Sequence, residues 1–327
     1  MTNYLTDINI IWLIGIVLLI LVLIIRTEYE QKYYDGLINV NEQEIIREGF
    51  TSNTKPYLWT YWELINGNTT PPDYVKLCFA IMKIKSNETF NLVILNEKNI
   101  FDYLPDLRKD INTLPIALKT DYIRVALLYR YGGFWIDADT IMMNNLRELI
   151  DKINDGYDYI GFGCTGKICK DNDGYGRPSN GVMGSPKGGI LITRCLSKLN
   201  EKLDNYFKLE PKDRKQFNYF DLGKNIIWEE YDVLMKEDPN YKYYHVSSYE
   251  DGTRDIDGNW VAKEIIFNDV IKYKDIHKLK VVMLANSIYC GDDKKYNWFC
   301  KLSSRKILEG DYFISKLFRM AIYGKRV

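Results

Sequence analysis

Asp121, Arg124, Asp137 and Asp139 carry the chemistry that this sequence offers. Asp137 and Asp139 stand at i, i+2, so a straight strand would turn both to one face, where two unpaired carboxylates repel. A divalent cation relieves that repulsion. Carboxylates are hard oxygen ligands suited to Mg²⁺ or Mn²⁺, ions that keep waters and share phosphate oxygens with a substrate. Asp121 and Arg124 stand at i, i+3, share one edge of a helix and can project together into a cleft. An isolated Asp-x-Asp is more simply a turn whose side chains bond backbone amides. Here the pair follows the apolar run Phe134-Trp135-Ile136 and a helix with its own acid and base, which favours the metal.

The elements must bring that helix and that strand end together. Tyr57 to Trp62 reads as a strand, Tyr74 to Lys85 as an amphipathic helix and Asn91 to Asn96 as a buried strand. A helix follows around Thr120 to Tyr131, with Ile123, Leu127 and Tyr131 at i, i+4, i+8 facing the core. Gly132-Gly133 ends it, Gly132 suiting a left-handed cap, and Phe134 to Asp137 is the next strand. This alternation predicts an α/β domain with a mainly parallel central sheet, and such sheets bind ligands at the carboxyl ends of their strands. Beyond about residue 200 the helical pattern weakens.

These residues resemble a known group. Asp-x-x-Arg, then Gly-Gly before an apolar strand, then Asp-x-Asp is similar to the sugar-transferase domain of glycosyltransferase family 32 and of capsular polysaccharide synthesis proteins. Pro56-Tyr57-Leu58-Trp59-Thr60-Tyr61-Trp62 followed by Pro71-Pro72 resembles the first strand of the capsular group. Ser179-Asn180 before Gly184-Ser185 resembles its later Ser-Asn-Trp segment, with Gly181 in place of the Trp. The resemblance covers roughly residues 56 to 190. It implies a GT-A fold, a nucleotide-sugar donor (UDP- or GDP-sugar), a glycan or polysaccharide acceptor and transfer with retention of anomeric configuration. It also implies that Asp139 coordinates the metal directly, while Asp137 contacts the ribose or sugar and the metal's water. Asp121 and Arg124 would bond the donor sugar and its phosphate side, and Trp62 would stack near the base.

Composition sets the outer bounds. The 44 Lys and Arg cancel 44 Asp and Glu, which removes the basic field of a nucleic-acid groove. The two histidines, His245 and His277, exclude a His-Glu-x-x-His zinc site and leave oxygen as the expected metal ligand. From Ile10 to Ile25 no side chain is polar, and Ile8 extends the stretch past Asn9. At ~1.5 Å per residue residues 8–25 cover roughly 27 Å, enough for a thin bilayer. A cleaved signal peptide would need a basic start and a small-residue site, which Asp7 and Arg26-Thr27-Glu28 do not offer. The expected order is a single-pass anchor at 8–25, a polar stalk at 26–54 and a transferase domain at 55–327. Arg26 and Lys32 weakly favour a cytoplasmic domain, while the acceptor triplets at Asn68 and Asn87 would suit a lumen, so the side stays open.

Other signals are weaker. Gly161 to Lys167 spells a near phosphate loop, but no helix follows, so it reads as a strand end entering a loop. Cys164 with Cys169, and Cys290 with Cys300, are each either a bridge or buried thiols. His245 reads as a packed or surface residue rather than part of an acceptor site. Specificity is expected in residues 164–180 and after 215. Two alternatives remain: a haloacid-dehalogenase-like phosphatase with Asp137 as nucleophile, which leaves Asp121 and Arg124 unexplained, and a catalytically silent sugar-binding protein.

Overall fold

The computed structural model describes residues 15–25, 28, 55–64, 70–163, 178–263, 265–267, 271–291 and 295–324. The chain divides into two units, Met1–Glu44 and Ile45–Val327. In the first, residues 15–25 form a helix whose side chains are all exposed. Residues 8–14 of the expected anchor, and the stalk apart from Glu28, lie outside the described residues. Among the described residues no helix is long and apolar enough to cross a membrane.

The second unit is an α/β fold. Its main sheet has the order β2-β1-β3-β6-β5-β7, formed by Asn91–Leu95, Tyr57–Tyr61, Gly133–Ile136, Val182–Ser185, Tyr159–Gly161 and Tyr243–His245. β1 is parallel to β2 and to β3, and β5 is parallel to β7. β6 pairs antiparallel with both β3 and β5, so five strands run one way and β6 runs the other. The mainly parallel sheet is therefore interrupted by one reversed strand. The reversal has a use: it brings the start of β6, not its end, to the carboxyl edge of the other strands. Gly184 makes the pairing possible, since a Cβ there would lie 2.4 Å from the ring of Phe134 on β3.

Helices cover both faces. Trp59, Trp135, Tyr159 and Met183 point to one side. There they join Ile123 and Leu127 of α3 (Ile116–Tyr131), Leu191, Cys195 and Leu199 of α5 (Ile190–Lys208), and Ile226 and Leu234 of α6 (Lys224–Glu237) in one apolar cluster. Alternation along β3 sends Phe134 to the other side, where it meets Phe90 edge to face at 5.5 Å. α1 (Asp73–Ser86) packs on that side with α9 (Phe313–Tyr323). Two shorter helices, α2 (Ile100–Tyr103) and α4 (Arg147–Asn154), link strands of the sheet. A second, two-stranded sheet pairs β4 (Thr140–Met142) with β8 (Val281–Met283), an element that local pattern does not announce. α7 (Asn286–Tyr289) and α8 (Ser304–Glu309) follow, and a Cys290–Cys300 disulfide closes the chain between them. Cys78 and Cys195 are buried free thiols.

The start of α3 and the end of its successor turn explain the position of the motif. α3 begins at Ile116, after Pro115, four residues earlier than its apolar spacing indicates. A proline at a helix entrance loses nothing, because that N–H has no intrahelical partner. At the far end Gly132 has φ +70° and ψ −159°, which is an extended glycine conformation rather than the left-handed helical cap expected. The chain turns straight into β3, and a Cβ on Gly132 would lie 2.5 Å from the Lys187 amide nitrogen. Gly133, at φ +91°, lies under Tyr57, whose carbonyl oxygen would be 2.3 Å from a Cβ.

Candidate active site

α3 is buried on nearly every side from Asp121 to Leu128, so Asp121 and Arg124 are interior groups, only 4% and 6% exposed. Charged residues so placed must be paired. Arg124 is the hub that pairs them. Its Nη2 lies 3.3 Å from Asp121 Oδ1 and its Nη1 lies 3.2 Å from Asp137 Oδ1. Nη1 also donates to the Asn180 carbonyl, Nε donates to Thr120 O at 3.4 Å, and the guanidinium carbon sits 5.1 Å from the centre of the Trp135 ring. Asn180 closes the circle, because its side-chain amide donates to Asp121 Oδ1 at 2.7 Å. The segment that leads into the reversed strand β6 thus reaches both members of the helical pair.

Asp137 and Asp139 do not share a strand face, because β3 ends at Ile136 and both occupy the turn before β4. Asp137 is held by Trp135, whose indole N–H donates to Oδ1 at 2.8 Å, and by its own amide, which donates to Gly181 O at 2.8 Å. A third of the Asp137 side chain remains open. Asp139 is held from elsewhere: the Asn286 amide donates to its Oδ2 at 2.7 Å, and Leu284 N donates to its carbonyl at 2.9 Å. The Asn286 side chain accepts from Tyr74 of α1 at 2.5 Å.

Burial dominates the electrostatics. It pushes the Asp121 carboxyl up to about 7 and Asp137 up to about 6, against the opposing pull of Arg124, while each feels a neighbouring aspartate. Asp139 is also raised by burial, opposed by the Asn286 amide and by the charges of Lys263 and Arg124. Asp121 and Asp137 share the one arginine, while Asp139 feels Lys263 and Arg124 from farther off, so three carboxylates gather around two cations and can accommodate a further one. Among the described residues no group of three or more His, Cys, Asp or Glu converges as a complete ligand set. Asp137 and Asp139 offer carboxylate oxygens, the ligand chemistry that Mg²⁺ and Mn²⁺ take, and an ion there would draw its remaining positions from water and phosphate oxygens.

Trp62 follows β1 directly, half-buried, at the same carboxyl edge as Asp137 and one strand away. His245, at the end of β7, packs 3.9 Å from the Tyr243 ring, and burial pushes it down to about 4, so it is a neutral packed residue. β5 ends at Gly161 as the sequence suggests, while 164–177, with Cys164 and Cys169, lie outside the described residues. Sequence reasoning missed four contributors. Trp135 and Gly223 were unassigned; a Cβ on Gly223 would be 2.4 Å from Asp121 Oδ2 and from Asn180 Nδ2. Asn286 has no local pattern to reveal it. Tyr219 lies in the region after 215, and its phenol feels Asp137, Asp121, Arg124 and Asp139.

With this geometry in view, the chain belongs to the family described as capsular polysaccharide synthesis protein, whose pattern matches residues 23–244. No curated protein matches it. Among solved structures it is similar to the PaToxG glycosyltransferase, at 14% identity over 66% of this chain and 81% of that one, with a TM-score of 0.39. It is similar to the galactosyltransferase LgtC in complex with donor and acceptor sugar analogs, at 10% identity over 83% and 96%, with a TM-score of 0.40. It is also similar to the glycosyltransferase GlyE of Streptococcus pneumoniae, at 14% identity and a TM-score of 0.32. There the match takes in 60% of this chain and 46% of that one. At such scores no donor, acceptor or mechanism passes from those proteins to this one.

Proposed function

We propose that this protein is a metal-dependent glycosyltransferase of the GT-A type. It would move a hexose from a UDP- or GDP-sugar to a glycan or polysaccharide acceptor, with retention of anomeric configuration. One observation carries the reading: Asp121, Arg124 and Asp137 are tied together by ion pairs at the carboxyl edge of a largely parallel sheet, with Asp139 two residues on. Membership of the capsular polysaccharide synthesis family supports it. Asp137 and Asp139 would hold Mn²⁺ or Mg²⁺, which when bound neutralises charge developing on a diphosphate leaving group. Asp121, fixed by Asn180 and Arg124, would accept hydrogen bonds from donor-sugar hydroxyls. Arg124 would hold Asp121 and Asp137 in register and add positive potential at the leaving group, where fixed charge in a buried site acts strongly. Trp62 would stack near the base. We also propose that residues 8–25 anchor the chain in a bilayer as a single pass, supported by the uninterrupted apolar run Ile10 to Ile25.

The test uses the full-length chain in detergent, a panel of UDP- and GDP-sugars, and Mn²⁺, Mg²⁺ or chelator, with release of nucleoside diphosphate as the readout. Turnover of at least one sugar nucleotide that disappears in chelator is expected. Turnover that persists in chelator would remove the metal, and phosphate release from a phosphomonoester with no sugar-nucleotide turnover would replace the reading altogether.

A further inference from the structure

Beside the buried hub lies a strip of aromatic surface. Phe217 packs against the core, but Tyr219 and Phe220 turn out, with 65% and 46% of their surfaces open. The tip that carries them is braced: Asp221 accepts from the Asn218 amide at 2.7 Å and from the Asn218 and Asn225 side chains at 3.1 and 3.3 Å. The Tyr219 and Phe220 rings meet edge to face at 5.0 Å. Lys224, in the first turn of α6, sets its ammonium 3.9 Å from the centre of Phe220 and 4.4 Å from that of Trp228. Trp228 is fixed in turn, its indole N–H donating to Pro178 O at 2.6 Å. The strip is therefore braced: Tyr219 and Phe220 are open to solvent, Trp228 is half-buried beside them, and Lys224 lies between Phe220 and Trp228.

Its inner end is the site: a Cβ on Gly223, three residues after Phe220 and next to Lys224, would lie 2.4 Å from Asp121 Oδ2 and Asn180 Nδ2, so the segment that carries the rings closes on the hub. Exposed aromatic rings in a row beside a reaction centre are costly to leave in water unless something covers them. A pyranose has one face of C–H groups, which packs on an aromatic ring, and hydroxyl edges that a phenol or ammonium can bond. The donor's diphosphate belongs with Arg124 and the carboxylates, which are interior. Tyr219 and Phe220 are open to solvent whereas Asp121 and Arg124 are interior, so the strip lies on the outside of the hub, where a chain-like substrate can rest with its end toward the reacting groups.

We propose that Tyr219, Phe220 and Trp228, bridged by Lys224, form the subsite that holds the sugar units of a glycan acceptor. This rests on the glycosyltransferase reading and adds to it where the acceptor lies. The experiment compares the full-length wild type with F220A and with F220W. Binding to an oligosaccharide array is measured with Mn²⁺ and UDP or GDP present, and nucleotide affinity is measured separately by calorimetry. Wild type should retain oligosaccharides, and F220A should lose at least fivefold in that binding while its nucleotide Kd stays within twofold. F220W, which keeps an aromatic face, should stay within threefold. Equal melting temperatures exclude misfolding of these surface variants. A wild type that binds nucleotide but no array oligosaccharide overturns the subsite alone. So does an F220A variant that binds oligosaccharides normally, or one that loses nucleotide instead. A wild type that binds neither UDP nor GDP defeats the glycosyltransferase reading itself.

Discussion

Asp137 and Asp139 are two residues apart and are held by opposite means. Asp137 is gripped by the sheet and the helix beside it: Trp135 on the preceding strand, Arg124 on the preceding helix, and Gly181 just before the neighbouring strand β6. Asp139 is gripped by an amide 147 positions away, at the start of α7, in a segment that β8 and the Cys290–Cys300 disulfide tie down. The first half of the site is built with the helix and sheet, and the second is completed only when the C-terminal segment docks. A disturbance can therefore reach one aspartate without the other.

The sharpest way to break this contrast is at the hub. Arg124→Ala leaves Asp121 and Asp137 buried without their cation and should destabilise the domain by about 3–5 kcal/mol, measured by urea unfolding. An unchanged midpoint would mean that the carboxylates are not held as a unit. Asp139→Asn keeps the Asn286 contact in shape but removes a charge from the metal position. It should reduce sugar-nucleotide turnover by roughly 10²–10³-fold, the equivalent of several kcal/mol, with little change in unfolding. Comparable turnover would remove Asp139 from the site. Replacing both Cys290 and Cys300 by serine should cost about 2 kcal/mol, through the greater freedom of the unfolded chain. More tellingly, it should speed hydrogen exchange at the Asn286 amide while leaving α3 protected; equal change in both would erase the distinction between the halves.

The smallest effect is a pH slope. Asp121 and Asp137 are raised by burial to about 7 and about 6, above the ordinary 3.8 they regain on unfolding. Between about pH 4 and 7 the folded protein then holds more protons than the unfolded chain, so stability without divalent metal should fall as pH rises through that window. Asp121→Asn should flatten the upper part of that slope. A parallel curve for the variant would place the Asp121 carboxyl in the ordinary range.

Legibility in the sequence followed the same division. Strands β1, β2 and β3 and helices α1 and α3 could be read because their apolar spacing is local and Gly132-Gly133 marks the end of α3, although its start at Ile116 lies four residues before the spacing shows it. Asp121, Arg124 and Asp137 could be read with them. β4 and β8 could not, since three-residue strands carry too little periodicity to stand out. The turn that separates Asp137 from Asp139 also escaped, because spacing alone cannot say where a strand stops.

By itself the sequence determined that an acid and base on one helix precede two aspartates at a strand end, with oxygen ligands and no histidine for a metal. Those properties are set by residue type and by helical and strand repeat, which are local. Only the tertiary structure decided that Arg124 joins Asp121 to Asp137, that a reversed strand brings Asn180 to both, that Asn286 orients Asp139, and that Tyr219 stands at the hub's edge. Each of these contacts spans from 13 to 147 positions. Chain segments that far apart are brought together by burial of the shared apolar core, a force without direction that no local pattern encodes.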